Sequence, residues 1–244
     1  MNTSKFLLST CMQLRLPILH SLHFVHRFPA QIGRTLYPVK RQYFHPGFVI
    51  YRCTYQSDSD WEKFMTRFLY HVTKSLECYN GLDLKDSFAP TVFEDESFDG
   101  ASTAFLRNHF QEWAATAPQV EQGADYCRFP ASGRYRFFIM VDQEALESVL
   151  KIPNPESSVR TGFVRLANGV WEPLILDEEE LEALGLSDPS ELEQEEPLEG
   201  CRLEDVGWMK LSYEDAETWA FLNLGDSLDW SDFYQRPPRV VTWI

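Results

Sequence analysis

From Gly47 onward the chain switches between two hydrophobic periods. Phe48 to Tyr55 (FVIYRCTY) is rich in β-branched and aromatic residues and predicts a strand. Ser59-Asp60-Trp61-Glu62 has the spacing of a capping box, with Ser59 as N-cap and Glu62 reaching back. Trp61, Phe64, Met65, Phe68, Leu69, Val72 and Leu76 then recur at helical spacing, and Asn80-Gly81 closes that helix. Thr91 to Glu94 predicts a short strand. A second helix, capped by Asp99 or Ser102, runs to Ala117 with Leu106, Phe110, Trp113 and Ala117 as its buried stripe, and Pro118 stops it.

Residues 119–133 read as a loop. Tyr135 to Val141 (YRFFIMV) is apolar on both faces, which predicts a central strand. Asp142 caps a short helix carrying Ala145, Leu146, Val149 and Leu150, ended by Pro153 and Pro155. Phe163 to Ala167 is a further strand, followed by the turn signal Asn168-Gly169. Between Asp177 and Asp205 stand 13 acids and one base, Arg202. Apart from a short helix over Glu178 to Leu184, stopped by Gly185, this segment is too charged to pack and predicts a solvated excursion. Trp208 to Tyr213 returns as a strand, Asp215 to Asn223 as a helix ended by Gly225, and Arg239 to Trp243 as an edge strand.

A strand leading through an acidic cap into a helix occurs three times. That order predicts an α+β fold: a two-layer sandwich with a ferredoxin-like mixed sheet, inserted helices and an acidic excursion. The domain reading is a basic leader over 1–46 and a single α+β domain over 47–244, with the acidic insertion at 177–205.

Charge sharpens this division. Residues 1–57 hold no Asp or Glu and seven of the 22 Lys/Arg, so 58–244 carry all 37 acids against the remaining 15 bases. A body with a net charge of −22 repels phosphate backbones and argues against nucleic acid as a partner. A basic protein partner is the better match. No run approaches the roughly 18 consecutive apolar residues of a membrane span. The leader is acid-free and rich in Leu, Ser, His and Arg, the composition of a mitochondrial transit peptide; an untargeted tail or an over-extended start is the other reading. The widely spaced Cys11, Cys53, Cys78, Cys127 and Cys201 contain no CxxC or CxxH pair, which excludes a local zinc site and suits a reduced, intracellular protein, cytoplasmic or in the mitochondrial matrix if the leader is a true signal.

Motifs for chemistry are absent. GxGxxG, GxxxxGK[ST] and GxSxG do not occur, and no cofactor is implied. His20, His23 and His26 belong to the leader, and His71 and His109 to the first two helices. Arg52 and Cys53 interrupt the first strand, but strand neighbours point to opposite faces, so Arg52 does not activate Cys53, which reads as a core residue. The carboxylates Glu94, Asp95, Glu96 and Asp99 lie between a strand and a helix, where loops host sites. Arg134 and Arg136 flank Tyr135 and suit pairing with carboxylates or with an anionic ligand. The candidate catalytic residues are therefore Arg52, Glu94, Asp95 and Arg136.

The blocks GFVIYRCTY, SDWEKFM, YNGLDLKDS, FEDESFDGAST, HFQEWAATAPQ, YRFFIMVDQEALESV and EGCRLEDVGWMKLSYED together resemble a large family of uncharacterised proteins from filamentous fungi, over roughly residues 46–240. The resemblance implies no activity, cofactor or catalytic residue. Members start shortly before GFVIYR, and the 1–46 extension departs from that pattern. Two functional expectations follow: a non-enzymatic protein-interaction module using its acidic body, or a hydrolase or transferase that handles a small anionic or sugar substrate through carboxylates and Arg.

Overall fold

The computed structural model of the chain describes residues 46–242 apart from 87, 89, 123–131, 189–194 and 225–227. The leader up to His45, with His20, His23, His26 and Cys11, lies outside these residues, as do Cys127, Gly225 and Trp243. The strands are β1 (Val49–Arg52), β2 (Thr91–Phe93), β3 (Phe137–Val141), β4 (Phe163–Asn168), β5 (Trp208–Ser212) and β6 (Val240–Val241). The helices are α1 (Asp58–Cys78), α2 (Thr103–Ala114), α3 (Ala117–Gln122), α4 (Gln143–Leu150), α5 (Glu178–Leu184), α6 (Phe221–Asn223) and α7 (Leu228–Phe233), with a π turn over Ala216–Ala220 directly before α6.

The strands form one mixed sheet in the order β2-β1-β3-β4-β5-β6. β1 pairs in parallel with both β2 and β3, and β5 in parallel with β6, while β4 is antiparallel to β3 and to β5. Five strands therefore point one way and β4 alone runs back. Helices plus a mixed six-stranded sheet make the α+β class, but the strand order is not ferredoxin-like.

Nor is the sheet covered on one face only. Along β1, Phe48 and Ile50 join an apolar cluster with Trp61, Phe64 and Phe68 of α1 and Val149 of α4, whereas Val49, Tyr51 and Cys53 join another with Leu106 and Phe110 of α2. Alternate residues of a strand face opposite ways, so the two clusters lie on the two faces of the sheet. The continuous apolar run of β3 is the cause: Phe137, Ile139 and Val141 enter one core, Phe138 and Met140 the other. A strand greasy on both sides needs a helix layer on each.

Local signals were mostly sound at element level and shifted at their ends. Ser57, not Ser59, caps α1 by accepting from the Asp60 N–H at 3.3 Å. Ser102 caps α2 and Asp142 caps α4 as the sequence predicts. Pro118 does not end structure: it occupies the first turn of α3, where its missing N–H costs nothing. The helix expected over Asp215 to Asn223 opens instead as the π turn, with the Ala220 N–H reaching back to Asp215 O at 3.0 Å.

The acidic excursion is tied down more than its composition suggests. α5 carries a capping box between Asp177 and Glu180. Farther on, Leu198 and Cys201 close a two-residue hairpin by exchanging backbone hydrogen bonds at 2.9 Å, and both pack against the α2-side cluster. Glu199 and Gly200 at its tip both have positive φ, 49° and 84°, as this tight turn requires. Arg236 donates to the carbonyls of Glu196, Leu203 and Glu204, which pins the segment's end.

Two covered faces predict two equally sensitive cores. Phe64→Ala and Phe110→Ala should each lower unfolding free energy by about 3–5 kcal/mol in chemical denaturation. A negligible loss for Phe110→Ala would mean that the α2 layer does not cover the sheet.

Candidate functional site

The strand directions gather the ends of β1, β2, β3, β5 and β6 along one edge of the sheet, the carboxyl edge. From β1 the chain crosses by α1 to β2 on one side, then by α2 to β3 on the other. The chain order reverses between β1 and β3, but the helices that follow these two strands, α1 and α4, pack on the same face, so no crevice opens between their ends. The two strand ends are joined by side chains as well: the Thr54 hydroxyl of the β1 end donates to Gln143 Oε1 at the start of α4, at 2.5 Å.

Three cations project from strands toward this edge, and each is enclosed. Arg52 is buried on the α1 side. Its guanidinium lies 4.4 Å from the Tyr55 ring centroid and 5.3 Å from that of Trp61, pairs with Asp58, and sits 3.7 Å from Glu94. Arg165, on the reversed strand β4, pairs with Asp142 at 2.6 Å, Glu199 at 3.1 Å and Glu144 at 3.7 Å, and stacks 4.5 Å above Trp208. Its cross-strand neighbour Lys210 binds Glu144 at 2.6 Å and lies over Phe163. Glu199 also accepts from the Thr103 backbone N–H at 2.9 Å and from its hydroxyl at 3.0 Å, so the hairpin tip caps α2 from outside.

The outer carboxylates remain wet. The Asp58 side chain is 84% exposed, and those of Glu94 and Glu144 are about half exposed. The geometry is thus a rim of acids held from beneath by buried cations. Such a rim attracts positive groups; the terminal nitrogens of Arg52 and Arg165 are spent on these carboxylates, and the Arg165 Nε, without a partner among the described residues, is buried. Among the described residues, no group of three or more His, Cys, Asp or Glu is placed to hold a metal ion.

The sequence-predicted residues divide between the two edges. Arg52 and Glu94 do meet. Asp95 caps the short turn Glu96–Phe98 by accepting from Ser97 N–H at 2.8 Å, its pKa lowered first by the Ser97 side chain and then by that N–H, and its own N–H donates to the Tyr55 hydroxyl at 2.7 Å. Arg136 stands apart. Arg52 is in register with Val141, five residues beyond Arg136, which puts the two about 16 Å apart along the strand. A single pocket joining Arg52, Arg136 and a carboxylate does not form.

Arg136's neighbourhood is the amino edge, where a second charged cluster is buried. Arg134 is 1% exposed; it binds Glu121 at 2.7 and 2.8 Å, donates to Gly47 O at 3.1 Å and to Thr91 Oγ1 at 2.8 Å. Glu217, in the π turn, accepts from the Phe48 N–H at 2.9 Å, and its other oxygen has no partner among the described residues. Burial pushes the Glu217 carboxyl up to about 8, opposed by the Phe48 bond and by Arg134. Gly47, at φ 98°, passes so close to this carboxyl that a Cβ would collide with it.

The remaining candidates are structural in their contacts. Burial raises the Cys53 thiol to about 12, far from a thiolate nucleophile. His71 Nε2 meets the Tyr213 hydroxyl at 3.0 Å and, lowered to about 4 by burial and then by Arg160, stays neutral. His109 Nδ1 meets the Tyr51 hydroxyl at 2.8 Å on the opposite face, among the rings of Phe93 and Phe98.

Sequence reasoning passed over Arg165, Lys210, Glu199 and Glu217. The first two carried the signal that had drawn attention to Arg52, a lone cation inside an apolar strand (FVRLAN, WMKLS). No helix of the described residues is long and apolar enough to cross a membrane. No protein-family model matches the chain, and neither a curated protein nor a solved structure does.

Glu217 sets a pH dependence with a definite sign. Its folded pKa of about 8 lies above the unfolded value of 4.5, so its contribution is fully present below about pH 4.5 and is lost as pH rises toward 8. Stability measured by denaturation should fall over that window by at most about 1.4 kcal/mol per pH unit from this group. Glu217→Gln should flatten the slope; an unchanged slope contradicts the assignment.

Proposed function

We propose that the protein is a non-enzymatic interaction module that binds a basic protein surface through the acidic rim at the carboxyl edge of its sheet. One observation carries this reading. Arg52, Arg165 and Lys210 are spent as internal counter-ions beneath Asp58, Glu94, Asp142, Glu144 and Glu199, so the carboxyl edge of the sheet faces outward as carboxylate.

Two physical consequences support it. Buried cations fix the carboxylates in place, so a partner's Lys or Arg meets a pre-organised surface and loses less side-chain entropy on binding. The net −22 of residues 58–244 adds a long-range field that steers basic partners and fades with salt. A pocket joining Arg52, Arg136 and Glu94 or Asp95 would favour the competing hydrolase or transferase reading, and the two arginines lie at opposite edges. The fungal family that the sequence resembles supplies no activity to set against this proposal.

Asp58, Glu94 and Glu144 are the exposed members of the rim. A triple variant, Asp58→Asn/Glu94→Gln/Glu144→Gln, should weaken binding of a Lys/Arg-rich peptide about tenfold at low salt, at roughly 0.2–1 kcal/mol per exposed ion pair. Fluorescence anisotropy on the folded variant measures this. Equal affinity for wild type and variant, or no loss of wild-type affinity at about 0.5 M salt, would overturn the proposal.

A further inference from the structure

We propose that the amino edge of the sheet carries a separate docking surface, and that its occupant is this chain's own N-terminal segment, residues 1–45. Val120 of α3 and Val170, directly after Gly169, are exposed there, and the exposed Leu174 and Ile175 follow in the segment leaving β4. Ile175 is 86% exposed and Val120 80%.

The positions of Val120 and Val170 follow from the ladder and four contacts. α2 starts at the carboxyl edge, where Thr103 binds Glu199, and ends at the amino edge, where Gln111 donates to Gly169 O at 2.8 Å. α3 continues from there, and its Glu121 binds Arg134, which in turn holds Gly47 O. In register, Phe137 lies opposite Asn168 and Val49 opposite Phe138, so Gly47 and Gly169 end strands two places apart, about 10 Å.

The apolar strip is bordered by acids. Residues 166–201 contain no Lys or Arg, and directly after the strip Glu178, Glu179, Glu180 and Glu182 stand exposed on α5. Residues 1–45 are the complement: no acid, six Lys/Arg, and apolar side chains such as Phe6, Leu7, Leu14, Ile18 and Leu19. They join the domain at Pro46, beside Gly47, on this same edge. A tether of this kind supplies an effective concentration in the mM range, so contacts too weak for a free peptide suffice. The acidic rim at the opposite edge takes no part, and the two proposals fail independently.

Limited trypsin digestion of the full chain, followed by mass spectrometry, tests the docking at Lys5, Arg15, Arg27, Arg34, Lys40 and Arg41. At about 0.1 M salt these bonds should be cut at least about tenfold more slowly in the wild type than in Leu174→Ser/Ile175→Ser or in Glu178→Gln/Glu179→Gln/Glu180→Gln/Glu182→Gln, and about 1 M salt should remove the protection that depends on charge. All six substituted side chains are exposed, and an unchanged Tm verifies the fold of each variant. Equal cleavage rates in wild type and variants overturn the proposal, whether the leader is open in all or protected in all. Protection that rises with protein concentration overturns it too, because a second copy would then be the occupant.

Discussion

The pairing of Arg165 with Asp142, Glu144 and Glu199 is the constraint on which the carboxyl edge depends. Arg165 sits on β4, the one strand that runs backward, and its guanidinium reaches two separate elements: the start of α4, through its cap Asp142 and first-turn Glu144, and the tip of the 198–201 hairpin. Through Glu199 it also fixes the start of α2. With its side chain only 16% exposed, Arg165 would be costly without partners, and carboxylates from the surrounding segments meet that need. Glu199 accepts a positive φ of 49° to be one of them. The acidic hairpin is therefore part of the fold's charge balance rather than a solvated appendage.

The same requirement operates at the amino edge with the roles changed. Arg134 is neutralised by Glu121 and braced by Gly47 and Thr91, while Glu217, close enough to feel that cation, escapes ionisation by taking up a proton. One edge keeps surplus carboxylates in water and the other hides its carboxyl in the core. This asymmetry underlies both proposals: a basic partner at the rim, and a basic and apolar segment at the amino edge.

Much of the architecture was legible because it rests on local chemistry. The stripe from Trp61 to Leu76, the caps at Ser102 and Asp142 and the two-sided apolar run of β3 each announce an element on their own. The layer count was less visible, although β3 itself, greasy on both faces, implied a second helix layer. Strand order was not legible, because parallel pairing of β1 with both β2 and β3 depends on crossovers that leave no periodic trace. The π turn was equally silent: one extra residue per turn at Ala216–Ala220 cannot be read from AETWA. Of the site, Arg52 and Glu94 were found because a cation in a strand and acids in the next loop are conspicuous. Arg136 lies apart from them because the order and direction of the strands, which the sequence does not show, decide which strand ends share an edge.

The claim that the buried arginines are internal counter-ions, leaving the rim to face outward as carboxylate, is tested most directly by one NMR experiment with two titrants. Side-chain carboxyl carbons and arginine Nε signals would be followed while oligolysine, and separately inorganic phosphate, is added to the full chain. The account predicts that oligolysine shifts the carboxyl carbons of Asp58, Glu94 and Glu144, and that phosphate leaves Arg52 and Arg165 unmoved. Phosphate-induced shifts at those two arginines, with the carboxylates indifferent to oligolysine, would contradict it and identify the edge as an anion site.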